Sequence, residues 1–119
     1  MRLRTTIGVA GRRIGKTGGM AEEPTIRVAD NPEKRRYEIF VDDTLAGFAT
    51  YRTEHDHLVI LHSEVFPEFE HHGLASRLAG ETFEDLRRRG LQAVLQCPYF
   101  RKYVREHREY GDLVMHQPL

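Results

Sequence analysis

The sequence predicts an α/β (α+β) domain, a mixed sheet in which an antiparallel meander is followed by a βαβ unit and a short C-terminal helix. Three observations lead there. Two strand-like runs, 36–41 and 45–52, flank the turn-forming pair Asp42-Asp43. The continuous apolar run Leu58-Val59-Ile60-Leu61 suits a strand buried on both faces. An amphipathic stretch, 74–89, then runs directly into another short apolar run, 91–96.

The elements follow in order. Thr25 to Val28 is a short extended segment, broken by Asp30-Asn31-Pro32. From Arg36 to Val41 the residues alternate, with Tyr37, Ile39 and Val41 on one side and Arg36, Glu38 and Phe40 on the other. Small residues in Leu45 to Arg52 allow close packing in the second hairpin strand. Leu58 to Val65 completes the meander, and Pro67, lacking an N–H, ends its ladder. In the helix, Leu74, Ala75, Leu78, Ala79, Phe83 and Leu86 form one apolar stripe. Arg87-Arg88-Arg89 meets the negative end of its dipole, and Gly90 suits the C-cap. Leu91 to Gln96 is the parallel strand. Pro98 opens a helix expected to run to about Glu109, with Phe100, Tyr103, Val104 and His107 inward. Leu113-Val114-Met115 fits a last edge strand, whose free edge would allow a weak dimer beside the monomer.

The chain has 119 residues, enough for one domain. No apolar run is long enough to span a membrane. The single cysteine, Cys97, has no partner for an internal disulfide, so a reducing, cytoplasmic setting is the default. The formal net charge of +0 hides an asymmetry. Residues 1–19 carry Arg2, Arg4, Arg12, Arg13 and Lys16 and no acid, whereas the remaining residues hold 13 basic against 18 acidic side chains. A mildly acidic domain argues against nucleic acid as a partner, which would demand a basic face. Residues 1–19 are expected to be a flexible basic leader, not necessarily native, with Met20 as the start of the patterned domain at 20–119.

Two motifs invite functions that their residues do not support. Gly11 to Thr17 (GRRIGKT) suggests a phosphate loop, but that motif needs glycine where Ala10 stands. His55-x-His57 and His71-His72 suggest a metal, but neither has a matching second pair, so no metal is expected.

The turn into the amphipathic helix is more informative. Phe69-Glu70-His71-His72-Gly73-Leu74-Ala75 links a buried strand to a helix start. Free N–H groups and the helix dipole there make a seat for phosphate. A plain strand-to-helix turn is the simpler alternative. Cys97 lies between a strand end and a helix start, where a dipole lowers a thiol's pKa. Core packing is the plainer role for a lone buried cysteine.

Four blocks of sequence carry a resemblance. They are His62-Ser63-Glu64-Val65, then Glu70-His71-His72-Gly73-Leu74-Ala75-Ser76-Arg77-Leu78, then Cys97-Pro98-Tyr99, then Glu109-Tyr110-Gly111-Asp112-Leu113. In this order and spacing the chain from about Asn31 to Val114 resembles the small single-domain GNAT-like N-acetyltransferase family, within the superfamily of acyl-CoA N-acyltransferases. Ser63 stands where the family usually has threonine. His71 replaces a glycine of the loop, which would reshape the first turn of the seat.

The resemblance implies acetyl-CoA as acyl donor and an amine as acceptor. The backbone amides of Phe69, Glu70, His71, His72, Gly73, Leu74, Ala75 and Ser76 would bind the CoA pyrophosphate, with the Ser76 hydroxyl as a further donor. The strand end at Glu64, Val65 and Phe66 would pair with the pantetheine arm. Cys97 would lie near the CoA sulfur, as nucleophile, proton donor or lining. His62 and Glu64 sit two apart on one strand and share a side. They are either a general-base pair or a polar pair on a half-exposed face. Tyr103 and Tyr99 follow Cys97 on its helix; a phenol there can protonate a thiolate, Tyr103 being the catalytic candidate and Tyr99 the cofactor-binding one. Lys102, with Arg101, offers charge to the 3′-phosphate, although a solvated helix face is the plainer reading. The expected function is therefore acetyl-CoA-dependent N-acetyl transfer to a protein lysine or small amine. The alternative is a CoA-binding or protein-interaction module without catalysis.

Overall fold

The computed structural model describes residues 23–115. The expectations for the basic leader, its GRRIGKT stretch and Met20 lie outside the described residues. A five-stranded sheet of order β1-β2-β3-β4-β5 is formed by β1 (Ile26–Asn31), β2 (Arg36–Val41), β3 (Thr44–Thr53), β4 (His57–Val65) and β5 (Gln92–Leu95). The first four strands are antiparallel neighbours, and β5 joins β4 in parallel. Helix α1 (Leu74–Arg89) connects the parallel pair, and α2 (Pro98–Glu106) follows β5. This is the predicted mixed fold.

Turn chemistry sets the hairpins. Asp42 and Asp43 both adopt positive φ, 49° and 69°, which is the backbone a two-residue hairpin turn requires. The Asp42 carboxylate also accepts the Thr25 N–H at 3.0 Å. At its other end β1 extends beyond the predicted segment: the strand continues through Asp30 and Asn31, which pair with Tyr37 and Arg36. Pro32, not Asp30, is where pairing stops.

The helices gather on the sheet face that carries Tyr37, Ile39, Ala49, Tyr51 and Ile60. Phe83 of α1 is the centre of this layer. Its ring packs at 5.7 Å from Phe100 and stacks at 5.2 Å on Tyr110. Phe83 is fully buried, and burying such a ring contributes about 1.5–3 kcal/mol. On the other sheet face Arg27 lies over Phe40 at 4.3 Å and Arg36 over Phe48 at 4.9 Å. Glu38, on this side as expected, is buried, and Arg36 Nε donates to it at 2.7 Å. A paired carboxylate tolerates that burial.

The C-terminus differs from expectation. α2 ends at Glu106 rather than near Glu109, and Arg108–Leu113 forms a 3₁₀ turn. Tyr110 and Leu113 use this turn to reach the core. The predicted last strand reduces to one parallel bridge from Val114 to Ala93 and a 2.8 Å bond from the Met115 N–H to the Ala93 carbonyl. These contacts cover part of the β5 edge. Among the described residues no helix is long and apolar enough to cross a membrane.

Candidate active site

The site begins where two parallel strands part. β4 pairs with β5 only from His57 to Ile60. The N–H groups of Gln96 and Cys97 both donate to the Ile60 carbonyl, at 2.9 and 3.0 Å, and the chain then turns away into α2. β4 continues to Val65, paired with β3 alone. Its other edge is therefore open from His62 onward, offering backbone donors and acceptors to a ligand.

A bulge sits at the fork. Thr50 pairs with His62 and Tyr51 with Ile60, so Leu61 is the extra residue on β4. A bulge shifts the side-chain alternation by one position. Ile60 and then Ser63 and Val65 thereby point to the helix side, whereas uninterrupted alternation would have sent His62 and Glu64 there. The Ser63 hydroxyl lies 3.2 Å from the Cys97 sulfur.

The second wall is the start of α1. Gly73 is the N-cap residue, with φ 72°, and no side chain caps the helix. The amides of Leu74, Ala75 and Ser76 thus have no side-chain acceptor at the cap, and the first turn holds no acid. Both facts favour an anion at this end. His71 also takes a left-handed backbone, φ 71°. A glycine does this without strain, which gives a physical reason for a glycine at that place in the resemblance.

Fork and helix start enclose a cavity of about 400 Å³. β4 supplies Ser63, Glu64 and Val65. The preceding 3₁₀ turn and loop supply Phe69, Glu70 and His71. Gly73, Leu74, Ala75, Ser76 and Leu78 come from the start of α1, and Tyr99 from α2. Most of the predicted cofactor-binding set is therefore brought together. The volume lies in the range of small-molecule sites.

Other predicted residues stand apart from the cavity wall. Phe66 packs edge-on against Phe48, at 6.0 Å, on the other sheet face. His72 is exposed. Lys102 is exposed and pairs with Glu106 at 3.3 Å. His62 is exposed beside Glu64, with its Nε2 3.4 Å from the carboxylate. Cys97 is only 2% exposed and touches the cavity through Ser63. Tyr103 borders a different cavity, of about 310 Å³, between Gly80, Glu84 and Tyr110. It stacks on His107 at 3.9 Å, and burial, with the Glu109 charge, pushes its phenol up. Ser76 borders both cavities. Among the described residues no three His, Cys, Asp or Glu side chains converge to hold a metal ion.

The sequence reading passed over Ser63 and Leu78 as cavity residues and Gly47 as the point where β3 packs closely on the Glu64 backbone. Leu78 was assigned to the core stripe, which it also serves. Only the bulge at Leu61 turns Ser63 inward, and no local pattern announces it. Gly47 had one visible signal, a glycine inside a strand.

The site thus joins a two-layer domain, a forked parallel pair and a helix start without a side-chain cap. Residues 36–113 match the GCN5-related N-acetyl-transferase family. The chain belongs to that family. Among solved structures it is similar to a GCN5-like protein from Staphylococcus aureus determined by NMR, with 17% identity, a TM-score of 0.58, and coverage of 77% of this chain and 90% of that one. At that identity the likeness speaks for the fold alone. No curated protein matches the chain.

Proposed function

We propose that the protein binds acetyl-CoA in the cavity between β4 and the start of α1 and transfers its acetyl group to an amine. The observation that carries this reading is the juxtaposition of a free strand edge with an uncapped, acid-free helix start across one cavity. The amides of Leu74, Ala75 and Ser76 would hold the pyrophosphate. The open edge at Glu64 and Val65 would pair with the amides of the pantetheine arm. That pairing leads the thioester toward Ser63 and the fork.

The remaining chemistry needs a neutral amine and a proton for the leaving thiolate. Glu64, on the cavity wall and beside the His62 ring, is the base for the amine. Tyr99 lines the same cavity and would return a proton to the thiolate, the role expected of Tyr103, which borders the other cavity. His62 and Glu64 are 62% and 49% exposed, so the acceptor approaches from open solvent. An exposed approach suits a lysine on a protein or an unhindered small amine. A buried lone cysteine is compatible with a reducing, cytoplasmic setting.

Thermal unfolding with and without acetyl-CoA tests the binding. Ligand at 100 times its Kd stabilises the fold by about 2.7 kcal/mol. An unchanged melting temperature at saturating acetyl-CoA overturns the reading. Release of free CoA with a panel of amines tests transfer; a melting shift with no release across the panel leaves a CoA-binding module without catalysis.

A further inference from the structure

We infer that the Ser63 hydroxyl is the group that meets the thioester carbonyl, and that Cys97 stands behind it as a positioning residue rather than as a nucleophile. The inference rests on the acetyl-CoA reading above. Ser63 lines the cavity, and Cys97 does not. Cys97 is 2% exposed, and the Ser63 oxygen lies 3.2 Å from its sulfur, between it and the cavity. An incoming thioester reaches the hydroxyl first and has no open approach to Sγ.

The hydrogen-bonding capacities of the two groups fit these roles. A serine hydroxyl has one donor and two acceptor sites, and a thiol is a weak donor. With the Cys97 S–H donating to Ser63 Oγ, the serine O–H is left to point into the cavity. Among the described residues no other side chain bonds the Ser63 hydroxyl. Ala49, directly across the ladder from Ser63, brings no polar group to compete. Cys97 itself is held at the fork by its N–H bond to the Ile60 carbonyl. The donor is thus fixed in place before the charge develops, as oxyanion stabilisation requires.

The step balances without a further reactant. The amine nitrogen forms a bond to the carbonyl carbon, and the carbonyl π pair moves onto oxygen. Ser63 O–H donates to that oxyanion. The pair returns, the carbon–sulfur bond breaks, and its electrons leave on the CoA sulfur. The proton lost by the nitrogen passes to the Glu64 carboxylate, the CoA sulfur takes the Tyr99 phenol proton, and solvent carries the Glu64 proton back to the phenolate.

The test compares Ser63→Ala, Ser63→Thr, Cys97→Ala and Cys97→Ser. Acetyl-CoA melting shifts come first: none in the unmodified protein removes the acetyl-CoA reading, and this inference with it. With binding intact, Ser63→Ala is expected to keep its melting shift and acetyl-CoA KM while kcat falls by about 100-fold, the scale for one lost oxyanion donor. Ser63→Thr stays within a few-fold. Cys97→Ala loses less than Ser63→Ala, and Cys97→Ser, which still donates to Ser63, recovers most of that loss. Infrared spectra of bound acetyl-CoA labelled with ¹³C at the carbonyl give a readout independent of turnover. The carbonyl band shifts down in the unmodified protein and in Ser63→Thr, and returns in Ser63→Ala. A Ser63→Ala variant with unchanged kcat, an unchanged carbonyl band, or an acetyl thioester trapped on Cys97 in the absence of amine overturns the inference.

Discussion

Gly47 presses against the backbone of Glu64: a Cβ on Gly47 would lie 2.4 Å from the Glu64 carbonyl oxygen and 3.1 Å from the Val65 Cα. Both neighbours are main chain and cannot swing aside. Gly47 therefore lets β3 hold the one strand that carries Ser63, Glu64 and Val65. Gly47→Ala is expected to cost about 1–3 kcal/mol, the usual scale of overpacking. It should also weaken acetyl-CoA binding, because β4 can yield only by moving into the cavity. Urea denaturation and the acetyl-CoA melting shift measure the two effects separately.

His71 adopts φ 71° one turn before α1. Holding a non-glycine residue there costs on the order of 1 kcal/mol. His71→Gly relieves that strain and gives back part of it as unfolded-state entropy. A small gain, about 0.5 kcal/mol, is expected in chemical denaturation by these opposing terms. The tightened approach to the helix amides should strengthen acetyl-CoA binding; a loss of affinity by calorimetry would show that the imidazole, not the backbone, matters at this position.

Alkali should loosen the clamp between α1 and the sheet. The Tyr37 hydroxyl donates to Asp85 at 2.5 Å, and the Tyr51 hydroxyl to Asp30 at 2.6 Å. Arg89 bridges the two carboxylates, at 2.8 Å from Asp30 and 3.4 Å from Asp85. Burial, then the neighbouring carboxylate, pushes both phenols well above 10.0. Tyr110 is pushed to about 12 by its bond to Glu84, with burial second. An unfolded tyrosine ionises near 10, so above that pH unfolding releases protons. Stability is full below pH 10 and falls as pH rises from there. Melting temperatures across pH 8 to 12 should show this fall, and Tyr37→Phe should flatten it.

Acid should act on a second contact near the same end of α1, between Arg87 and Asp112. Arg87 donates to both Asp112 oxygens, at 3.1 and 3.0 Å, and to the Glu109 carbonyl at 2.8 Å. The guanidinium holds the Asp112 carboxyl below its ordinary 3.8. A depressed carboxylate stabilises the fold above its unfolded value, and that contribution is lost as pH falls through the folded one. The 3₁₀ turn should therefore loosen below about pH 4. Amide exchange at Val114 and Met115 reports it, and Asp112→Asn should speed that exchange at neutral pH.

The centre of the helical layer gives the largest expected stability loss. Phe83 touches Phe100, Tyr103 and Tyr110 and is fully buried. Phe83→Ala is expected to destabilise the fold by about 3–5 kcal/mol, as a cavity-forming core substitution. Urea denaturation measures it directly, and an effect under 1 kcal/mol would mean the layer repacks around the gap.

Much of the scaffold was legible because local rules and tertiary packing agree. The α1 boundaries, Leu74 to Arg89, follow from the apolar stripe, the three terminal arginines and Gly90. β2 matches its predicted span because Tyr37 and Ile39 alternate with polar neighbours. The burial of Glu38 was not legible, since a charge is kept inside only by a partner, here Arg36, that alternation does not reveal. α2 stopped early for a similar reason. Tyr110 and Leu113 gain more by turning back onto Phe83 and β5 than by continuing a helix into solvent.

Short-range periodicity and turn chemistry were enough to predict the order of strands and helices and the strand-to-helix turn that ends at Gly73. Those features depend on residues within a few positions of one another. The wall of the cavity depends on residues far apart in sequence. The bulge at Leu61 exists only where β4 meets β3, the fork only where Gln96 and Cys97 share the Ile60 carbonyl, and the Ser63–Cys97 contact only because both happen together. One residue inserted into a ladder reverses every side chain beyond it. That is why His62 stays exposed while Ser63 and Cys97 face each other, and only the assembled sheet makes that choice.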